Sequence, residues 1–435
     1  MSTGSIIDVR GRQVLDSRGR PTIEAEIRVA GGAIGRAVVP SGASTGRHEA
    51  HELRDDDASV YEGRGVLRAV AHINGEIASA LRGMDAREQS AIDSRLREID
   101  GTPDLRRLGA NAILGASLAA CRAAAAQEGR PVYRRIAELC GVAAPILPLP
   151  MVNILSGGAH ARRGMDLQDF LVIPLAATTY AEALEMVVAV RAAADVVATR
   201  RGLTSLLADE GGLSPGFPTS DQALDLMIEV IEQAGFRPGD DVAIALDCAA
   251  SELCAQAGLY RFSREGVERT TDEMIEMVGR LVARYPILSI EDPLDQEDWE
   301  GWRRLTARFG RRQIVGDDLF TTDPGRIAHG IELGTANSVL IKVNQIGTLS
   351  GALAALRLAR DAGYGLVVSA RSGETEDPFI ADLAVGTASG QIKIGSVRSS
   401  ERLSKYNQLL RIEEEVGHYA GASALMVHTR ASATA

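Results

Sequence analysis

Two rhythms of hydrophobic and polar positions divide the chain. Up to about residue 140, short alternating segments precede longer helical ones. Val9–Leu15, Thr22–Val29 and Ala33–Val39 read as strands separated by Gly and Pro. Gly63–Leu81, Arg87–Ile99 and Ala110–Gln127 carry helical spacing. This pattern predicts an N-terminal α+β capping domain over residues 1–140. The run Pro145-Ile146-Leu147-Pro148-Leu149-Pro150 reads as a junction. A second domain is expected over residues 145–435.

In that second part, short apolar runs end on or contain a polar residue. VAIALD closes on Asp247, ILSIED contains Glu291, RQIVGDD Asp317, SVLIKVN Lys342, GLVVSAR Arg371 and QIKIG Lys393. Successive carriers lie 44, 26, 25, 29 and 22 residues apart. Helical patterns fill the gaps, among them Ser220–Ala234, Thr271–Arg284 and Leu349–Ala362; the last closes at Asp361-Ala362-Gly363. An apolar strand followed by a helix about every 25 residues predicts a parallel β/α architecture. In a barrel, the polar strand ends would converge on one mouth. A doubly wound open sheet is the alternative, but no glycine-rich dinucleotide fingerprint follows a first strand.

Composition narrows the function classes. The chain has 435 residues and a net charge of -11, which argues against nucleic acid as a partner. The most apolar stretch, Gly109–Ala126, contains Asn111 and Arg122 and reads as a buried helix, not a membrane span. No N-terminal segment resembles a signal peptide. Cys121, Cys140, Cys248 and Cys254 show neither zinc nor disulfide spacing, so a reducing, cytoplasmic setting is expected. Only three of the 47 basic residues are lysines: Lys342, Lys393 and Lys405. Arginine keeps its proton in proteins, whereas a buried lysine can act as a base. Lys342 and Lys393 lie in apolar runs, where a charge needs a purpose or a partner. Lys405, in the polar context SERLSKYNQ, reads as chance survival.

Asp247, Glu291 and Asp317 at successive strand ends would repel one another if ionised and close. A divalent cation relieves this, and all-oxygen ligands favour Mg²⁺ ahead of Mn²⁺ or Ca²⁺. The competing reading pairs each acid with an arginine or a helix end. Lys342 beside such a cation would have a lowered pKa and could remove a proton α to a carboxylate. Lys393 would add a second cation, or both lysines form buried acid bridges. Four loops supply further candidates: Ser41–Gly46 with Ser44; Gly157–Gly164, a lid with His160, Arg162 and Arg163; Ala208–Gly212 with Glu210; and Arg371–Thr375, whose Arg371 and Ser372 suit an anion such as phosphate.

LDSRGRPT, VPSGASTG, LGANAILG, ADEGG, LDCAAS, SIEDP, GDDL, LIKVNQIGTL, RSGETED, GQIK and KYNQLLRIEEE occur in this order, and together they resemble the enolase family almost end to end. The resemblance implies a small α+β domain before a β/α (TIM-like) barrel of modified strand order, a homodimer or larger homo-oligomer, and one or two Mg²⁺. It implies removal of the C2 proton of 2-phosphoglycerate by Lys342 and loss of the 3-hydroxyl to give phosphoenolpyruvate. Asp247, Glu291 and Asp317 resemble ligands of a first Mg²⁺, and Ser44 a lid ligand of a second. Glu210 resembles the acid assisting departure of the hydroxyl, and His160 the lid histidine. Lys393 resembles the carboxylate-binding group, Arg371 and Ser372 the phosphate contacts. Gln168 and Asp169 belong to the family's LQEF motif.

The chain departs from that pattern on one side of the site. Enolases read SHRSGETED where this chain has Ser369-Ala370-Arg371, and LQEF where it has Gln168-Asp169-Phe170. The bacterial lid HADNN becomes His160-Ala161-Arg162-Arg163-Gly164, and the glycine before DEGG is Ala208. A shorter acid and a missing imidazole would weaken protonation of the leaving hydroxyl. Two lid arginines would favour a second anion. An alternative is therefore an enzyme similar to the carboxyphosphonoenolpyruvate synthases of phosphonate biosynthesis, which would take 2-phosphoglycerate and an activated phosphonoformate. A third reading is a non-catalytic binding protein of enolase shape. The retained Lys342 and metal acids argue against it.

Overall fold

A computed structural model describes residues 2–425. Three antiparallel strands open the chain, β1 (Ile6–Leu15), β2 (Pro21–Val29) and β3 (Ile34–Val38). Their buried face, with Ile23, Ala25 and Ile27, meets the helix Ala110–Gln127. This helix is buried on nearly every side, which its Ala- and Gly-rich composition permits. At Gly35 a Cβ would lie 2.1 Å from the Ala119 carbonyl oxygen, so only glycine allows this close approach. The helical segment expected over Gly63–Leu81 starts at Leu67 and contains a π turn at Ile73–Ile77.

Eight strands then close a barrel: β4 (Leu149–Ser156), β5 (Asp169–Pro174), β6 (Val242–Asp247), β10 (Ile287–Glu291), β11 (Gln313–Gly316), β12 (Ser338–Ile341), β13 (Gly365–Ser369) and β14 (Gly390–Lys393). Between β6 and β10 a small antiparallel sheet protrudes, β7 (Cys254–Gln256), β8 (Leu259–Phe262) and β9 (Val267–Thr270). The expected all-parallel pattern is corrected at one strand. β5 runs antiparallel to both β4 and β6. Its first residue, Asp169, thus lies at the end of the barrel where the other strands finish, paired with Asp247 and Ser156.

The barrel strands read as unbroken apolar runs because both faces are buried. Outward residues such as Ile244, Ile290, Ile314, Val339 and Val368 pack under the helices. Leu149, Met151, Leu171, Ala243, Ala245, Val315, Leu340 and Val367 fill the interior. The N-terminal part docks on the barrel mouth through reciprocal Ser41–Gly373 backbone hydrogen bonds of 2.8 and 2.9 Å. Among the described residues, no helix is long and apolar enough to cross a membrane. Residues 426–435 of the expected second domain lie outside the described residues.

Candidate active site

Side chains alternate faces along a strand, so the interior rows continue upward from the apolar filling. Ala243 and Ala245 lead to Asp247, Leu340 to Lys342, Val315 to Asp317 and Leu171 back to Asp169. Glu291 and Lys393 close β10 and β14 at the same level. Period two and the barrel's closure therefore gather the chain's polar strand ends into one buried layer.

Lys393 stands at its centre. Its Nζ donates to Asp247 Oδ2 at 2.8 Å and Glu291 Oε2 at 2.6 Å. Burial works against this ammonium, but Asp247 and Glu291 hold its pKa well above the lysine value. Gln168 Nε2 also donates to Asp247 Oδ2, at 3.2 Å. Lys342 Nζ pairs with Asp317, whose second oxygen accepts from Gln345 Nε2 at 2.9 Å. Burial presses the Lys342 pKa down; Asp317 and Glu291 together outweigh it, and the net direction is up. The expectation of a lowered Lys342 presupposes a cation at its side, and the Asp317 carboxylate alone acts the other way.

The carboxylates bear the mark of a cation site. Burial and then Asp247 push the Glu291 carboxyl well above its usual range. Its Oε1 is buried and has no hydrogen-bond partner. An unpartnered buried carboxylate oxygen is costly unless positive charge joins it. Asp247, Glu291 and Asp317 are oxygen donors of the kind a hard divalent ion takes, but the carboxylates whose oxygens all lie within 4.8 Å of one another are those of Asp292, Asp317 and Asp318.

Beside it, Asp292 accepts the backbone N–H groups of Asp317 and Asp318 at 2.9 and 2.7 Å. Burial and Asp317 push the Asp318 carboxyl up to about 8. Neither Asp292 nor Asp318 stood out in the sequence, although each adjoins a predicted ligand. Asp292 holds a positive φ of 42°, which bends the chain so its carboxylate meets the Asp317 turn.

The acid side centres on His160. Its Nδ1 lies 3.0 Å from Asp169 Oδ2, and its Nε2 3.9 Å from Glu210 Oε1. Ser156 Oγ donates to the other Asp169 oxygen at 2.6 Å, and Asn153 Nδ2 to Glu210 at 3.2 Å. Burial opposes a charged imidazole, but Asp169 and Glu210 raise its pKa to about 9. Burial lifts the Asp169 carboxyl, and His160 only partly offsets this. For Glu210, His160, Arg402 and Lys393 outweigh burial and leave its pKa lowered. These three groups are close enough to ligate a metal. The imidazole turns a different nitrogen to each acid, hydrogen-bonding Asp169 and lying beyond hydrogen-bond distance of Glu210. Ala370 is buried; its N–H donates to the Lys393 carbonyl at 2.9 Å and its own carbonyl accepts from Ser369 Oγ at 3.0 Å.

Arg371 is buried, and its fork grips Glu49: Nη1 to Oε2 at 2.9 Å, Nη2 to Oε1 at 3.1 Å. Nη2 also donates to the Ser44 carbonyl at 3.1 Å, and Ser372 Oγ accepts from Ala43 N at 2.6 Å. The Ser44 loop is thus tied to Arg371 and Ser372. Glu49 escaped the sequence reading because nothing in its neighbourhood marks it; only the docking of the two parts brings it to Arg371. Arg162 and Arg163 stand apart from this cluster. Both are exposed, with φ of 50° and 58°, and Arg163 lies 3.6 Å from Glu252.

Lys405 overturns its reading as chance survival. It is fully buried, 2.8 Å from Glu374 Oε2. Ser404, Asn407 and Gln408, turned partly or fully to the outside of the helix, hid its burial.

Family models agree with this architecture along both parts of the chain. "Enolase, N-terminal domain" matches residues 6–136, and "Enolase, C-terminal TIM barrel domain" matches residues 144–428. With the barrel's reversed second strand and the layer of acids and lysines at its mouth, these matches make the chain a member of the enolase family.

Proposed function

We propose that the protein dehydrates 2-phosphoglycerate to phosphoenolpyruvate. The observation that carries this reading is the pairing of two buried lysines with three strand-end carboxylates, faced across the mouth by the Asp169–His160–Glu210 chain. Asp247, Glu291 and Asp317 would hold Mg²⁺, with Ser44 offering a further oxygen for a second ion. Bound there, Mg²⁺ supplies Lewis-acid stabilisation of the negative charge that develops on the substrate carboxylate. Lys342 removes the C2 proton. For that it must be neutral, so release from Asp317 is part of its activation. Lys393 holds the carboxylate end. Arg371 and Ser372 bind the phosphate, which competes with Glu49 for the arginine's fork.

Glu210 and His160 deliver a proton to the departing 3-hydroxyl. The imidazole bonds Asp169 and points its other nitrogen toward Glu210, so the shorter Asp169 still orients a proton donor without a second histidine at position 370. The carboxyphosphonoenolpyruvate synthase reading draws no support from Arg162 and Arg163, which lie on the outer surface. We expect the active form to be a homodimer or larger, acting on small phosphorylated molecules in the cytoplasm. Incubation with 2-phosphoglycerate and Mg²⁺, followed by the ultraviolet absorbance of phosphoenolpyruvate, tests the reading. No product at any Mg²⁺ concentration refutes it.

A further inference from the structure

The helix Ser400–Val416 sends Arg402, Lys405 and Tyr406 beneath the site. At i, i+3 and i+4 they share one face, and all three are fully buried. The Arg402 fork collects four backbone carbonyls. Nη1 donates to Arg371 O at 2.7 Å and Ile394 O at 2.9 Å; Nη2 donates to Ser372 O at 2.7 Å and Asp209 O at 3.4 Å. These carbonyls come from three separate segments. One carries Arg371 and Ser372, one follows Lys393, and one precedes Glu210. Lys405 holds the same loop from its far side. Its Nζ bonds the Thr375 and Glu401 carbonyls and pairs with Glu374. Glu374 in turn accepts the N–H groups of Arg371 at 3.2 Å and Thr375 at 3.0 Å.

We propose that Arg402 and Lys405 are positioning residues that lock the anion-binding loop, the end of β14 and the Glu210 loop into one rigid unit. The proposal rests on the reading of Arg371 and Ser372 as phosphate contacts. Its physical basis is the geometry of the two cations. A planar guanidinium spans several carbonyls from fixed directions; an ammonium is a compact charge with three donors. Lysine at 402 cannot reach all four carbonyls, and arginine at 405 cannot fit where Glu374, Thr375 and Glu401 surround a small ammonium. Neither cation touches substrate. Their effect on binding passes through the backbone of residues 371–375.

The experiment compares wild type with Arg402→Lys, Lys405→Arg and Leu409→Ala. Leu409 is fully buried on the same helix and serves as a packing control. Calorimetry measures binding of inorganic phosphate in the presence of Mg²⁺; steady-state kinetics with 2-phosphoglycerate gives KM and kcat; thermal melting reports stability. We expect both cation variants to weaken phosphate about tenfold, the effect of losing well-aligned bonds to charged groups, and to raise KM. Leu409→Ala should lower the melting temperature with phosphate affinity unchanged. If Arg402→Lys does not fold, Lys405→Arg and Glu374→Gln carry the same expectation. Unchanged phosphate affinity in the folded cation variants, or an equal loss in Leu409→Ala, overturns the proposal. So does a wild type that binds no phosphate. A wild type that binds phosphate but leaves 2-phosphoglycerate untouched refutes the proposed reaction alone.

Discussion

Asp169→Asn is the sharpest perturbation of the acid side. It keeps the shape and the Ser156 hydrogen bond but removes the negative charge 3.0 Å from His160 Nδ1. In the wild type the imidazole is raised from 6.5 to about 9. At about 1.4 kcal/mol per unit, that shift is worth about 3 kcal/mol of folding free energy. The folded value lies above the unfolded one, so this stabilisation is complete below about pH 6.5 and is lost as pH rises through about 9. In Asp169→Asn, burial opposes the charge with Glu210 and the more distant Asp247 left to favour it, and the imidazole should titrate near or below its ordinary value. Nitrogen NMR of selectively labelled histidine follows the ring directly, and melting temperatures from pH 6 to 10 follow the linkage. The wild type should lose more stability than the variant across that range, and its alkaline activity limb should lie higher. Parallel melting curves, or a wild-type His160 titrating near 6.5, would refute the reasoning.

Glu291→Gln should abolish Mg²⁺-dependent activity and raise the cation concentration needed for thermal protection, whereas full activity in excess chelator would contradict the metal assignment. Replacing Arg162 and Arg163 together by alanine should change KM for 2-phosphoglycerate less than about fivefold, because exposed charges contribute little (about 0–1 kcal/mol). Kinetics showing a much larger loss would mean the lid closes on substrate through them. Gly395→Ala should cut kcat at least about tenfold. Its φ is 109°, and a Cβ would come within 2.9 Å of the Glu210 carbonyl oxygen and 3.1 Å of Arg402 Cδ, displacing the acid. Activity equal to wild type would show that the Glu210 loop tolerates movement.

The barrel was legible because strand and helix alternate at a steady spacing and each buried strand announces itself as an apolar run. The helices Ala110–Gln127 and Thr271–Arg284 begin and end where the pattern places them. β5 was not legible as a reversed strand. DFLVIP has the same apolar character in either direction, and direction is decided by the short connection that turns it back beside β4. The site divides similarly. Asp247, Glu291, Lys342 and Lys393 interrupt apolar runs, and such interruptions are visible in one dimension. Glu49 and Arg402 sit in unexceptional polar surroundings, whereas Asn153 interrupts the apolar run of β4 and was overlooked. Their importance arises from contacts across 322, 57 and 31 residues, which no local pattern encodes. Lys405 misled for a related reason: a helix can bury one face while its neighbours in sequence remain polar.

The central claim is that Lys342 is the base of a carbanion-forming site. It is tested most directly by exchange of the C2 hydrogen of 2-phosphoglycerate with deuterium from solvent, followed by NMR in Mg²⁺. Wild type should exchange the hydrogen and release phosphoenolpyruvate. Lys342→Arg, which keeps the charge but cannot accept a proton, should do neither while still binding inorganic phosphate. Exchange at an undiminished rate in the variant would contradict the account.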